Sequence, residues 1–346
     1  MAALSDQLVS IAILLYLAAM ISHAVEYALG NGRAIARRAA PARELVGAGV
    51  AAGGATTPTG ADLGVGVGKE PVTGDADTTT GDAPAGAGRK RPPGQRARLA
   101  GRIAVVLTGL ATVLHLAALI THGIAANRMP WGNMYEFVLT VSFIGAAAWL
   151  AVLWKLPALR GLGLFLTLVM VLLLATAELV LYVPIVPLVP ALNSYWFIVH
   201  VSTVVFASGL FLLGAVPAVA FLMRNGYEQG RRSFPYTLAK RLPAAASLER
   251  LTFGLHAFAF PVFTFAVIAG AIWAEAAWGR PWGWDPKEVW SFISWVVYAG
   301  YLHARATPSV KRNVAAWLAV LGFLTVLMNL FGVNIFFEGL HSYGGL

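Results

Sequence analysis

Cysteine is absent from all 346 residues. Without a thiol the chain has no disulfide exchange, no Cys-ligated zinc or iron–sulfur centre and no haem held covalently through a C-x-x-C-H motif of its own. Any metal chemistry therefore falls to histidine. Charge is also scarce, with Asp, Glu, Lys and Arg making up 12% of the residues. A glycine-rich phosphate loop joined to a lysine is missing too, which argues against ATP hydrolysis. No Lys or Arg precedes the first apolar run, although Asp6 does, so that run is expected to be a retained first helix rather than a cleaved signal peptide.

What is abundant is apolar sequence, at 58% of the residues and a mean hydropathy of +0.70, which places most of the chain in a bilayer. Runs long enough to span it occur at about 8–29, 103–124, 131–154, 161–183, 196–223, 251–274, 288–304 and 313–333. The expected fold is an all-α polytopic membrane protein of about eight transmembrane helices. Run 288–304 is the weakest, being the shortest and carrying Ser291, Ser294 and His303. Segments 30–102, 155–160, 224–250 and 305–312 hold 22 of the 25 Lys and Arg residues and are expected on the cytoplasmic side. Arg128, Arg280 and Lys287 then lie outside, and an even helix count puts both termini outside with them. The net charge of +9 thus reads as a topology signal rather than as a nucleic-acid surface.

Three regions follow: a first transmembrane helix over 1–30, a disordered cytoplasmic Gly/Ala/Pro-rich linker over 31–100, and a membrane domain over 101–346 with an external Trp-rich loop at 275–287. The linker ends in a basic run, Arg89-Lys90-Arg91 with Arg96, Arg98 and Arg102, whose expected role is to anchor the next helix.

The loop contains Trp278-Gly279-Arg280-Pro281-Trp282-Gly283-Trp284-Asp285, three indoles and two glycines in eight residues. Such a cluster can tile a flat aromatic ligand, whereas one Trp alone would read as an interfacial belt residue. Topology places His200 and His341 at the level of this loop, and His23 and His303 near the cytoplasmic face. The hydrocarbon core is about 30 Å thick, so His303 and His341 cannot share one metal centre. Paired imidazoles beside an aromatic platform suit haem, with Arg280 and Lys287 as candidate propionate partners and lipid phosphate as their competing use. Asp285-Pro286-Lys287-Glu288 reads as an N-cap, a first-turn proline and an acid at N3, so Asp285 is expected to cap the next helix and fix the corner that aims Trp282 and Trp284. His115 and His256 read as packing residues, and His122 as a residue bordering the external pocket. Glu178 is expected to be buried, without an assigned role.

The string WGRPWGWD at 278–285 resembles the Trp-rich signature of the integral-membrane subunit of System II cytochrome c biogenesis, of the CcsA or ResC type, called CcsB in some genomes. The resemblance extends to Pro130–Glu136 (PWGNMYE), Gly270–Ala274 (GAIWA) and the tail from Gly332-Val333-Asn334 to His341. It implies a haem handler in a bacterial cell membrane, part of a haem lyase with no catalytic residue of its own. Haem b would be carried non-covalently on Trp278, Trp282, Trp284, Asp285 and Arg280, with His200, His341 and the intramembrane His303 as iron ligands. Implied partners are apocytochrome c, a ResB-type membrane subunit supplying a second ligand to the inner haem, and a thiol-reducing thioredoxin-like protein; His23 is the alternative inner ligand within this chain. Two rival readings remain on the sequence: a bis-His dihaem electron-transfer subunit, and a haem-free scaffold or transporter.

Overall fold

The structure is a computed structural model that describes residues 1–30 and 93–341. Most of the expected linker, 31–92, lies outside the described residues, but its last part does not. Residues 93–100 are helical, opening α2. Proline is tolerated in a first turn because its missing N–H would have had no partner there, and Gln95 to Arg102 supplies good helix formers, so the helix begins well before the apolar run.

The described residues form eight long helices, in order α1 (Ala2–Leu29), α2 (Pro93–Ala126), α3 (Met134–Lys155), α4 (Gly163–Val180), α5 (Tyr195–Glu228), α6 (Ala245–Trp278), α7 (Pro286–Ala306) and α8 (Arg312–Leu327). A π-turn over Met328–Gly332 and the short α9 (Val333–Phe336) close the described fold. No strand occurs among the described residues. In hydrocarbon every backbone N–H and C=O must be paired within the chain, and helices achieve this locally. Among the described residues, seven helical segments are long and apolar enough to cross a membrane; α7 is not among them. This multi-pass membrane protein nevertheless folds α7 as a full helix beside α8 and α6, because Asp285 and Glu288 form a capping box around Pro286 and because Ser294, Tyr298 and Tyr301 recur on one buried face.

Successive helices reverse direction, so the bundle has two ends with different chemistry. At one end Ser5 donates to the Ala118 carbonyl at 3.1 Å and Tyr182 donates to Asp6 at 3.2 Å; the tryptophan loop and the chain's described C-terminal residues lie at this end. At the other, Arg160 pairs with Glu26, Arg305 with Glu249, and Asn225 donates to Asn313 at 2.7 Å. The central helix is α5, most of whose apolar length is buried, which makes it the scaffold against which α3, α6 and α8 pack.

Candidate functional site

A cavity of about 190 Å³ lies at the tryptophan-loop end between α5, α6, the start of α7 and the π-turn. Its wall includes His200 and His341 together with Trp131, Trp273, Trp278 and Trp282. The π-turn contributes Asn329 and Leu330, in keeping with the tendency of such turns to mark sites where a helix must present backbone or side chains out of register.

His200 is held by α6. Its Nδ1 lies 2.8 Å from the carbonyl oxygen of Ala266; a carbonyl can only accept, so Nδ1 carries the hydrogen and the ring's lone pair is on Nε2. The imidazole stacks on Trp273, with centroids 5.8 Å apart and planes 12° from parallel. The approach depends on Gly270: a Cβ there would stand 2.7 Å from Cε1 and 2.8 Å from Nδ1 of His200.

His341 arrives from the opposite direction, beyond α9, and packs on the same indole. It lies edge-on to Trp273 at 5.8 Å and to Trp278 at 5.0 Å. Its Nδ1 is 2.8 Å from Oδ1 of Asp285; a carboxylate oxygen only accepts, so Nδ1 carries the hydrogen of that bond. Two residues separated by the whole of α6, α7 and α8 thus flank one tryptophan. Asp285 does more than cap. Oδ1 also accepts from the Lys287 N–H at 3.1 Å and Oδ2 from the Leu340 N–H at 2.7 Å, so the carboxylate ties the start of α7 to the tail that carries His341. Its side chain is 4% exposed, and a carboxylate so placed needs these donors to offset desolvation. Burial raises its pKa, but the hydrogen bond and charge of His341, with the N–H groups of Leu340 and Lys287, outweigh this and hold the carboxyl below its ordinary value.

The loop is organised by Glu288, which accepts from the Gly283 N–H at 2.8 Å and the Asp285 N–H at 3.0 Å. It also faces Arg280 at 3.5 Å. Arg280 is therefore engaged with the loop's own carboxylate, whereas Lys287 lines the cavity and donates to the Asn329 carbonyl at 3.1 Å. Gly279 ends α6 in the left-handed conformation (φ +71), which lets the chain turn sharply into the loop. Trp284 is the one non-glycine loop residue there with positive φ, +59. That backbone turn sends its indole outward: it is 68% exposed, outside the cavity lining, and edge-on to Trp282 at 5.8 Å.

The remaining histidines are dispersed. His303 is exposed at the far end of α7, and His23 lines a separate cavity there that His303 does not. His122 does not line the tryptophan-loop cavity; it meets Glu136 at 3.1 Å. His115 is buried between Tyr16 and Phe143, and His256 among Phe211, Tyr298 and Tyr301. Glu178 is partly buried and accepts from the Tyr135 hydroxyl at 3.3 Å.

Two features were not drawn from the sequence. One is Trp273. The other is a buried network on Glu136, which receives Arg128 at 2.5 and 2.8 Å, the Gly132 N–H at 2.6 Å and the Asn133 amide at 3.2 Å. It fixes the turn that delivers Trp131 to the cavity.

Residues 131–341 match the family model for cytochrome c assembly protein. The cytochrome c biogenesis protein CcsA of Guillardia theta is 36% identical over 173 residues, which cover 46% of this chain and 58% of that protein. The CcsA protein of Trieres chinensis is 32% identical over 274 residues, 71% of this chain and 86% of its own length. Among solved structures, Cytochrome c Heme Lyase CcmF superposes with a TM-score of 0.56 at 15% identity, over 99% of this chain and 48% of the other, a likeness of fold.

Proposed function

Because the chain belongs to the cytochrome c assembly protein family, we propose that it receives haem through the membrane, holds it at the tryptophan-loop cavity and presents it there for thioether attachment to apocytochrome c. The supporting observation is the convergence of His200 and His341 on Trp273, each with Nδ1 held by an acceptor. Such bonds to the other ring nitrogen fix the ring orientation and raise the basicity of the nitrogen offered to iron. Trp278 and Trp282 supply apolar surface for the macrocycle, Lys287 a cation for a propionate, and the exposed Trp284 a surface for the haem rim or the client.

The reaction needs no nucleophile from this chain. Each client S–H adds across a haem vinyl group: the sulfur–carbon bond forms, the vinyl π bond is lost, and the proton ends on the neighbouring carbon. The protein's contribution is to orient the vinyl groups toward the C-x-x-C-H thiols and to screen the iron from water. A thioredoxin-like protein would keep those thiols reduced. His303, exposed at the opposite end, would ligate haem with a histidine of a ResB-type subunit. The cargo is haem b, bound non-covalently. The membrane is the bacterial plasma membrane, with the tryptophan loop outside and both termini on that side.

The arrangement favours this reading over an electron-transfer subunit, in which both ligands of a pair would project from facing helices; here one ligand lies on α5 and the other in the tail after α9. A haem-free scaffold is separated by experiment: the detergent-purified protein is expected to show a Soret band, and its absence after loading with haem would overturn the proposal. The orientation has its own test. A periplasm-type reporter fused within 275–285 is expected to be active and one at residue 60 inactive; the reverse pattern would invert the site. Gly270→Ala should displace the His200 ring, since a Cβ cannot fit 2.7 Å from it. Haem retention is expected to fall by roughly tenfold with helix content unchanged, because alanine favours the helix more than glycine does.

A further inference from the structure

The corner between α2 and α3 is built on one fully buried carboxylate, that of Glu136. It receives five donors. Oε2 accepts from Arg128 at 2.5 Å and from the Gly132 N–H at 2.6 Å, while Oε1 accepts from Arg128 at 2.8 Å, His122 Nε2 at 3.1 Å and the Asn133 amide at 3.2 Å. A helix cap needs far less. Asn133 already caps α3 by accepting from the Glu136 N–H at 2.8 Å, and in an ordinary capping box the acid would only reach back to the N–H of the cap itself. Here it reaches past the cap, so both ends of Arg128-Met129-Pro130-Trp131-Gly132 are pinned to one side chain. The middle is pinned as well, because the Pro130 carbonyl accepts from Thr140 at 3.0 Å.

The side chains of Glu136, His122 and Arg128 are 0%, 3% and 11% exposed. Taking ionised groups out of water is expensive, and apolar side chains of similar volume often stabilise a fold as well or better. What a carboxylate gripped by a planar guanidinium fork adds is direction. The segment whose course it fixes carries Trp131 into the wall of the tryptophan-loop cavity, with Gly132, Asn133 and Met134 beside it. The Trp131 indole N–H has no partner among the described residues, so the ring takes its place from the backbone corner and from packing. The same network also leads away from the site: His122 belongs to α2, and its Nδ1 lies 3.5 Å from Ser5 Oγ on α1.

We propose that Glu136, held by Arg128 and His122, is a positioning residue for the haem cavity, one that sets the Trp131 wall. It makes α1 and α2 part of the support of a site whose proposed iron ligands lie on α5 and in the tail. The proposal rests on the reading of that cavity as a haem site and adds to it residues that touch no haem.

The test is a double-mutant cycle on the full chain in detergent, titrated with haemin. Trp131→Ala is expected to weaken binding by about tenfold through lost aromatic surface, with the histidine-ligated spectrum unchanged because neither ligand is touched. Glu136→Gln should weaken it by a similar factor, since an amide NH₂ then faces the Arg128 fork or another of the donors. Combined, the two changes should bind no more than about twofold worse than the weaker single variant, because a wall already removed cannot be misplaced. Independent effects would instead multiply to about a hundredfold, and that result overturns the proposal, as does wild-type affinity in Trp131→Ala. Should Glu136→Gln fail to fold, Arg128→Lys enters the same cycle, keeping the charge and losing the fork. A haem-free readout accompanies the titration. With fluorotryptophan at all 11 tryptophan positions, the fluorine resonance lost in Trp131→Phe belongs to Trp131. It should shift in Glu136→Gln or Arg128→Lys while those of the loop tryptophans stay in place. An unmoved Trp131 resonance overturns the positioning role even where haem affinity falls. Failure of the native chain to bind haemin overturns the proposed function and this role with it, whereas the other adverse results overturn this role alone.

Discussion

Replacing His200 or His341 with alanine is expected to remove most of the haem held at the tryptophan loop and most of the holocytochrome formed, with the double variant hardly worse than either single one. The two imidazoles pack on the same indole, so a ligand gripped by both loses its bis-imidazole field when either goes. Residues acting as one unit are strongly non-additive. Each single change should lower holocytochrome yield by more than about tenfold, since even the outer-shell partners of metal ligands are worth that much. Fold should survive: alanine is the best helix former for the α5 position, and His341 lies beyond the last helix. Exogenous imidazole can occupy the vacated volume and bind iron, so partial recovery of the low-spin spectrum is expected in His200→Ala. Wild-type cytochrome maturation in either single variant would remove these residues from the site.

Much of the architecture is legible because the bilayer imposes it. Apolar runs must become helices, their number sets which ends coincide, and that arithmetic brings His200, His341 and the Trp-rich loop to one level before any contact is known. The helix α7 is the instructive exception. Its hydropathy is too low to announce a span, but Asp285-Pro286-Lys287-Glu288 announces its start, and the capping box forms as that string predicts. Contacts between distant segments are what the sequence does not carry. Trp273 sits in an apolar run where an indole facing lipid and one stacked on His200 look the same; its only local mark is Gly270 three residues earlier, on the same helical face. Nothing near Asp285 indicates that a tail 56 residues later will fold back onto its carboxylate. Nor does the string around Arg280 show that Glu288 gathers the loop backbone and Arg280 around itself. Spacing does not distinguish Trp284 from Trp282, but a left-handed backbone angle at Trp284 separates their directions.

The Asp285–His341 contact yields the sharpest test, because capping and orienting require different things of one carboxylate. Asp285→Ala removes both functions; loss of the cap alone costs about 1 kcal/mol of stability. Asp285→Asn can keep its oxygen at the Oδ1 position, where it accepts from both the Lys287 N–H and His341 Nδ1, but its NH₂ group then stands where Oδ2 accepts from the Leu340 N–H. The Leu340 N–H must then face another donor, and the bond from His341 loses its charge assistance. Haem retention is therefore expected to fall by about tenfold or more in Asn as well as in Ala, while thermal stability in detergent falls more in Ala than in Asn. The pH dependence carries the same signature. The Asp285 carboxyl is held below its ordinary value in the folded chain, so its contribution is complete above an unfolded-state pKa of about 3.9 and is lost as pH falls through the lower folded value. Tail docking, followed by tryptophan fluorescence or by haem retention, should thus be flat near neutrality and fall only in acid below about pH 4. In Asp285→Asn that acid step should disappear, leaving a uniformly weakened site. If Asp285→Asn instead binds haem as the wild type does and keeps the same acid step, Asp285 is a helix cap and nothing more, and the orientation of His341 must be assigned to another group.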